Sequence, residues 1–191
     1  MFINPKDFKK LVTKAYKGTG LKLARKGEHI YIGNKSFMIR TNINHVPNKI
    51  KAIIIEYTGE LPGDGEMFTT TPMGNQIEVW DEATIERFDM WEDEPYLEVK
   101  PTNILLDCKD RRCRVYQNSN LRVMMVNILF DNIVSPKDID KEYENYPEGP
   151  YMQGATIIWT NETTTLMYAG SVPDDNTSQA DILEALSKIN I

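Results

Sequence analysis

The sequence predicts an α+β fold in which antiparallel sheets built from hairpins combine with three to four short helices. Short β-prone segments follow one another across tight-turn pairs such as Lys26-Gly27 and Gly33-Asn34. Between these groups lie segments with apolar residues at helical spacing. The chain shows neither a βαβαβ rhythm nor the glycine fingerprint of a dinucleotide fold. Consecutive hairpins indicate antiparallel pairing, which is typical of the α+β class.

The N-terminal segment predicts a short strand over residues 1–4 and a helix over residues 5–17. Asn4 is a suitable N-cap, and Pro5 suits the first helical position. Gly18 marks the end of the helix. Its apolar residues recur at helical spacing and predict a buried face of Phe8, Leu11, Val12, Ala15 and Tyr16.

The next part of the chain alternates short strands with one helix. Three strands are predicted over 21–25, 29–32 and 36–41. A helix over 47–58 begins at Pro47 and ends at Gly59. Residues 61–75 indicate a loop-rich connection with at most one strand. The following segments predict strands over 76–80 and 96–100, with either a helix or a strand over 83–91.

The C-terminal half predicts two hairpins and a final helix. The hairpins pair 104–108 with 113–117 and 155–160 with 163–169. Between them lie a strand over 121–126, a short helix over 127–134 and a polar loop over 135–151 that suits a lid or a boundary. A helix over 178–189 has Ser178 as its cap and a predicted apolar face of Ile182, Leu183, Leu186 and Ile189. Residues 1–75 thus form a basic half and residues 76–191 an acidic half, either as two units or as one continuous domain.

Composition restricts the class of protein. The chain has 191 residues, of which 41% are hydrophobic, and no apolar run approaches the roughly 20 residues of a membrane span. The N-terminus lacks the apolar stretch of a signal peptide, so we expect a cytoplasmic protein that does not bind membranes. Cys108 and Cys113 are too few for a secreted disulfide scaffold, and we expect two reduced thiols.

Charge is distributed very unevenly along the chain. Residues 1–60 contain twelve Lys and Arg against four Asp and Glu, whereas residues 61–100 contain two against eleven. These segments carry +8 and −9, and residues 101–191 carry −5, which together give the net charge of −6. A basic region within an acidic chain indicates a surface that faces a polyanion.

The first helix concentrates this positive charge on one face. At about 100° per residue, its lysines fall within an arc of about 140°, opposite the apolar residues. These lysines are Lys6, Lys9, Lys10, Lys14 and Lys17. Lys49 and Lys51 of the second helix extend the patch if the fold brings them to the same side. Such a face either binds a polyanion such as duplex DNA, is simply solvated, or pairs with the acidic segment 81–98; membrane-surface binding is a less favoured reading.

The order of elements resembles one domain of the DNA sliding clamps. The similarity covers residues 1–72 (MFINPKDFKKLVTKAYKG and VPNKIKAIIIEYTGELPGDGEMFTTT) and, more faintly, residues 121–170. It rests on architecture and charge and on no diagnostic motif. In that family basic helices line a ring around duplex DNA, so the resemblance implies a non-enzymatic replication accessory protein without a cofactor. Because clamps use two or three such domains per chain, it also implies a shortened or homo-oligomeric form.

Two other functions fit parts of the sequence. The acidic segment 81–98 and the loop tyrosines Tyr143, Tyr146 and Tyr151 suit a protein-interaction module, although the same tyrosines suit a loop fastened to its own domain. Asp81 with Glu98-x-Lys100 matches the outline of a metal-dependent nuclease, but acid-x-Lys triplets arise readily by chance in so charged a chain. No catalytic residue and no metal ligand is assigned, because His29 and His45 are not paired with a nucleophile or with close cysteines.

Overall fold

The computed structural model describes residues 1–77, 91–108, 111–139, 144–171 and 178–191. Predictions for residues 78–90, including Asp81 and most of the predicted 83–91 element, lie outside these ranges, as does Tyr143. Among the described helices, none has both the length and the apolar character needed to cross a bilayer.

Helix α1 spans Pro5–Lys17, as the sequence predicts. The Asn4 side chain accepts hydrogen bonds from the backbone N–H groups of Lys6 and Asp7, at 3.0 and 3.2 Å. These bonds satisfy two of the N–H groups that a helix N-terminus leaves without partners. The predicted apolar face is also confirmed, because it lies against the sheet. Its fully buried members are Phe8, Leu11, Val12 and Ala15.

The remaining elements of residues 18–77 form one antiparallel group and a second helix. The strands are β1 (Leu21–Lys26), β2 (His29–Asn34), β3 (Phe37–Asn42), β4 (Met67–Thr71) and β5 (Gly74–Ile77). Helix α2 spans Asn48–Thr58, with Pro47 as its cap and Gly59 after its last turn. The predicted loop-rich connection over 61–75, which allowed for one strand, contains both β4 and the start of β5. The threonine-rich run pairs with β1, where Phe68 lies opposite Leu23, because β-branched residues fit a strand once a neighbouring edge is present.

The second half of the chain contributes the other strands and two shorter helices. The elements are β6 (Leu97–Cys108), β7 (Arg111–Asn118), β8 (Val123–Asn127), α3 (Ile128–Asp131), β9 (Glu148–Gln153), β10 (Thr156–Thr160), β11 (Thr164–Ala169) and α4 (Ser178–Leu186). The hairpins β6–β7 and β10–β11 confirm the two predicted ones. The predicted strand over 1–4 is reduced to a single bridge between Ile3 and Val134.

Strand β9 replaces part of the predicted polar loop over 135–151. Gly149-Pro150 is typical of a turn, and Pro150 has no N–H for a ladder hydrogen bond. The strand forms nevertheless, because it lies between β10 and β6 and its pairing with β10 shifts register between Ile158 and Thr160. A register shift of this kind accommodates a residue that cannot donate.

Both halves of the chain belong to one sheet. Its eleven described strands follow the order β5-β4-β1-β2-β3-β11-β10-β9-β6-β7-β8, and every pairing is antiparallel. Strand β3 pairs with β11, so Ile39 lies opposite Leu166. This architecture confirms the predicted α+β class.

The sheet buries side chains on both faces. On one face α1 and α2 cover a large core that includes Leu23, Ile39 and Leu166. The alternate residues of the same strands point to the other face, where Tyr31 and Met38 pack with Trp91. Farther along that layer α4 covers β7 and β8 through Leu183.

Helix α4 is shorter than predicted, and only part of its predicted face is buried. Leu183 is buried and Leu186 half-buried, whereas Ile182 and Ile189 are exposed. Leu183 and Leu186 belong to one apolar cluster with side chains of β6, β7 and β8, so a narrow stripe of the helix finds apolar partners.

Candidate nucleic-acid interface

Helices α1 and α2 lie side by side on the same face of the sheet. The Tyr16 and Tyr57 rings are 5.1 Å apart between centroids. The Thr13 hydroxyl donates to the Lys9 carbonyl at 2.6 Å, which leaves the Tyr57 hydroxyl to donate to Thr13 Oγ1, also at 2.6 Å. These contacts fix the spacing of the two helices at the edge of the core, against which both tyrosines pack.

A groove of about 770 Å³ follows this junction. Its surface is mostly apolar, and six of its ten lining residues are lysines. The lining residues are Pro5, Lys6, Lys9, Lys10, Thr13, Lys14, Lys17, Lys49, Ala52 and Ile53. The structure therefore brings six of the seven predicted lysines to one groove. Lys51 is not in this lining, because two residues advance a helix by about 200° and place it on another side of α2 from Lys49.

The groove carries more positive charge than its own acids balance. Lys9 pairs with Glu56 at 2.8 Å, and Lys10 pairs with Asp7 at 2.6 Å. The hydrogen bond that Lys9 Nζ donates to the Glu56 carboxylate raises the pKa of Lys9 above its ordinary value. The other four lysines have no carboxylate partner among the described residues, and all four are exposed. These four are Lys6, Lys14, Lys17 and Lys49.

The described part of the acidic segment lies on the opposite face of the sheet. Trp91 is buried against Tyr31 and Met38, on the face that α1 does not cover. The Gln153 amide donates to the Trp91 carbonyl at 2.8 Å and holds this segment beside β9. Among the described side chains of residues 91–98, no carboxylate pairs with a groove lysine, and residues 81–90 lie outside the described chain.

The predicted tyrosine surface is only partly exposed. Tyr151 lies on β9, where its ring packs at 6.0 Å from Trp91 and 4.9 Å from Tyr96. Burial raises the pKa of its phenol, and the hydroxyl donates to Glu148 at 3.4 Å. Tyr146 is 61% exposed. Tyr151 thus packs its strand against the aromatic rings of residues 91–96, and of the three predicted tyrosines Tyr146 is the described one that stays exposed.

Residues suggested for metal-dependent chemistry are not assembled into a site within the described ranges. Glu98 and Lys100 are exposed on β6, and Asp81 lies outside those ranges. In the part of the chain that is described, no three His, Cys, Asp or Glu side chains are grouped to hold a metal ion. Cys108 and Cys113 are not joined by a disulfide, and Leu106 rather than Cys108 lies opposite Cys113.

A second pocket, which the sequence did not indicate, adjoins the groove at Lys14. It has a volume of about 290 Å³. The end of α1, the β2–β3 turn, the start of β7, the start of α3 and the segment after β11 all contribute to it. Of the loops that line this pocket, the turn at 33–36 is the one with a recognisable sequence pattern, and that pattern predicts a hairpin rather than a binding site. Residues from five separate segments meet here only in the folded chain.

Comparison with known proteins gives no relative for this chain: no protein-family model, no curated protein and no solved structure matches it.

Proposed function

We propose that the protein is a non-enzymatic, DNA-associated accessory protein that contacts the phosphates of duplex DNA through the groove between α1 and α2. The observation that carries this proposal is the set of six lysines around one groove, four of them without a carboxylate partner among the described residues. Like charges held this close repel one another, and a row of phosphates relieves the repulsion.

The dimensions of α1 suit a phosphate backbone. Thirteen residues make a helix about 20 Å long, and lysines three or four residues apart rise by about 4.5–6 Å along it. Lysine binds phosphate as a point charge on a flexible stem and reads no base sequence. The proposal is therefore of binding without sequence preference, which suits a clamp-like protein. A clamp-like arrangement would further require several copies of the chain.

The competing function, a protein-interaction module, has less support. Of the three tyrosines suggested for it, Tyr151 is engaged with Trp91 and Tyr96, Tyr143 lies outside the described residues, and Tyr146 is exposed.

Charge reversal of the groove tests the proposal. Changing Lys6, Lys10, Lys14 and Lys17 together to Glu should abolish retention of duplex DNA at low salt, measured by gel shift or fluorescence anisotropy. A matched control changes four exposed lysines outside the groove, Lys26, Lys100, Lys137 and Lys188, to Glu. The two variants have the same net charge, so only a localised site separates them. Equal loss in both variants, or no retention by the wild-type chain, would refute the proposal.

Salt dependence provides a second measurement. Each neutralised phosphate contributes about −0.9 to the slope of log K against log salt concentration. Four to six lysine contacts predict a wild-type slope of about −4 to −5. A slope near zero would exclude phosphate contacts as the source of affinity.

A further inference from the structure

The second pocket differs from the groove in shape and in the balance of its lining. Its volume of about 290 Å³ lies near the lower end of the roughly 300–1,000 Å³ found for small-ligand sites. Apolar side chains form part of the wall, and polar groups and three cations form the rest. The lining side chains that could contact a ligand include Ser36, Phe37, Asn127 and Phe130, together with the three cations.

The cations are Lys14, Lys35 and Arg111, and no Asp or Glu lines the pocket. This is unexpected in a chain whose acids outnumber its bases by 28 to 22. None of the three side chains has an ion pair or a hydrogen bond with a described residue. Three cations around one small pocket without a counter-charge favour an anionic ligand.

The rest of the lining suits an organic body attached to that anion. Phe37 and Phe130, with ring centroids 6.3 Å apart, contribute to an apolar wall. The Ser36 hydroxyl and the Asn127 side-chain N–H group make no hydrogen bond within the described structure, so both remain available to a polar ring edge. An inorganic ion alone would leave the apolar wall uncovered.

We infer that this pocket binds the phosphomonoester of a nucleotide, with the base against the apolar wall. A phosphomonoester carries nearly two negative charges at neutral pH and matches three cations better than a single carboxylate does. The nucleotide is either a free mononucleotide or the 5′-phosphorylated end of a DNA strand. The inference does not depend on the proposed duplex binding, because Lys14 is the one residue that the pocket and the groove share.

Calorimetric titration of thymidine 5′-monophosphate into the full chain tests the pocket. We expect saturable binding at one site, and no saturation with thymidine, which lacks the phosphate. The double substitution Lys35→Gln and Arg111→Gln should weaken binding about tenfold or more, because charge-assisted hydrogen bonds to phosphate are lost. Both side chains are exposed, so the core is unaffected. A matched pair in the groove, Lys6→Gln and Lys49→Gln, should leave this affinity unchanged.

Oligonucleotides distinguish the two sources of the phosphomonoester. If a strand end is the ligand, a 5′-phosphorylated duplex binds more tightly than its 5′-hydroxyl counterpart, and the Lys35/Arg111 variant removes the difference. If a free nucleotide is the ligand, thymidine monophosphate saturates the site and the two duplexes bind equally. Saturation by the mononucleotide in a chain that retains no duplex would support the pocket and refute the groove. The inference is overturned if neither probe shows a contribution sensitive to Lys35 and Arg111.

Discussion

At the scale of single residues, polar side chains in or beside the core join β7 to α3 and β10 to β11. The Tyr116 hydroxyl donates to Asp131 Oδ1 at 2.7 Å, and Arg114 Nε donates to Asp131 Oδ2 at 2.6 Å. Trp159 donates to the Tyr168 hydroxyl at 3.3 Å. Burial raises the pKa of both Tyr116 and Tyr168 well above the ordinary value for tyrosine. Both phenols therefore stay protonated in the folded protein at a pH where the unfolded chain begins to ionise.

This pKa difference predicts a loss of stability at high pH. Above the unfolded-state pKa of about 10, the unfolded chain releases protons that the folded chain retains, so the free energy of unfolding falls as pH rises. Each such tyrosine contributes a slope of about 1.4 kcal/mol per pH unit. Tyr116→Phe should reduce the pH dependence of the free energy of unfolding by the contribution of one tyrosine, measured by urea unfolding between about pH 9 and pH 11. Tyr146→Phe, at an exposed position, is the control, and equal slopes in wild type and Tyr116→Phe would contradict the prediction.

The cap of α1 is a second feature that depends on one side chain. Asn4→Ala removes the acceptor for the Lys6 and Asp7 N–H groups and should lower the free energy of unfolding by about 1 kcal/mol. Asn4→Ser keeps an oxygen acceptor and should recover most of that loss. Urea unfolding at neutral pH compares the two variants, and equal destabilisation by Ala and Ser would show that the cap is not the cause.

At the scale of elements, Glu56 limits the positive charge that α1 and α2 present. Its carboxylate lies 2.8 Å from Lys9, and both side chains are about half exposed. An exposed pair of this kind adds little to stability, so its main consequence is electrostatic. In the free protein, Glu56 therefore neutralises Lys9, one of the six groove lysines.

Releasing Lys9 should therefore strengthen DNA binding. Under the proposed function, Glu56→Gln should raise duplex affinity severalfold at low salt and make the salt slope steeper by about 0.9, the contribution of one phosphate. Anisotropy titrations at several salt concentrations measure both. Glu184→Gln breaks a comparable exposed pair, with Lys188 on α4, and should change neither quantity. A gain of equal size in both variants would assign the effect to net charge rather than to the groove.

At the scale of the whole molecule, one core and one sheet join the basic and acidic halves of the sequence. The Thr41 and Thr164 hydroxyls lie 2.9 Å apart and are both buried where β3 meets β11. Ile39 and Leu166 are fully buried at the same junction. Contacts of this kind couple the stability of the two halves.

We therefore expect one cooperative unfolding transition. Hydrogen exchange in β7 and β8 reports on the acidic half, and hydrogen exchange in β1–β3 reports on the basic half. Ile39→Ala and Leu166→Ala should each cost about 2–5 kcal/mol, and each should lower the stability that both probes report by the same amount. A variant that shifted only the probe of its own half would show that the halves unfold independently.

The sequence was most informative where structure depends on near neighbours. Helix α1, its cap and the β10–β11 hairpin follow from spacing and turn chemistry over a few residues. Strand β9 and the β4–β5 hairpin do not follow from local sequence. Pro150 and the threonines of β4 become strand residues only because strands distant in the chain lie beside them. Tyr151 is likewise a loop residue in the sequence prediction, but in the structure it lies on β9 and packs against Trp91.

The candidate site divides in the same way. The sequence by itself determined that five lysines share one face of α1, because helical periodicity is local and the opposite face must be buried. Only the tertiary structure decided that Lys49, and not Lys51, lines the groove with the lysines of α1. It also decided that residues 91–98 lie on the opposite face of the sheet. The meeting of Lys14, Lys35 and Arg111 at one pocket is likewise a property of the folded chain. Those relations depend on which strands pair, and strand pairing is selected by long-range burial that no local pattern encodes.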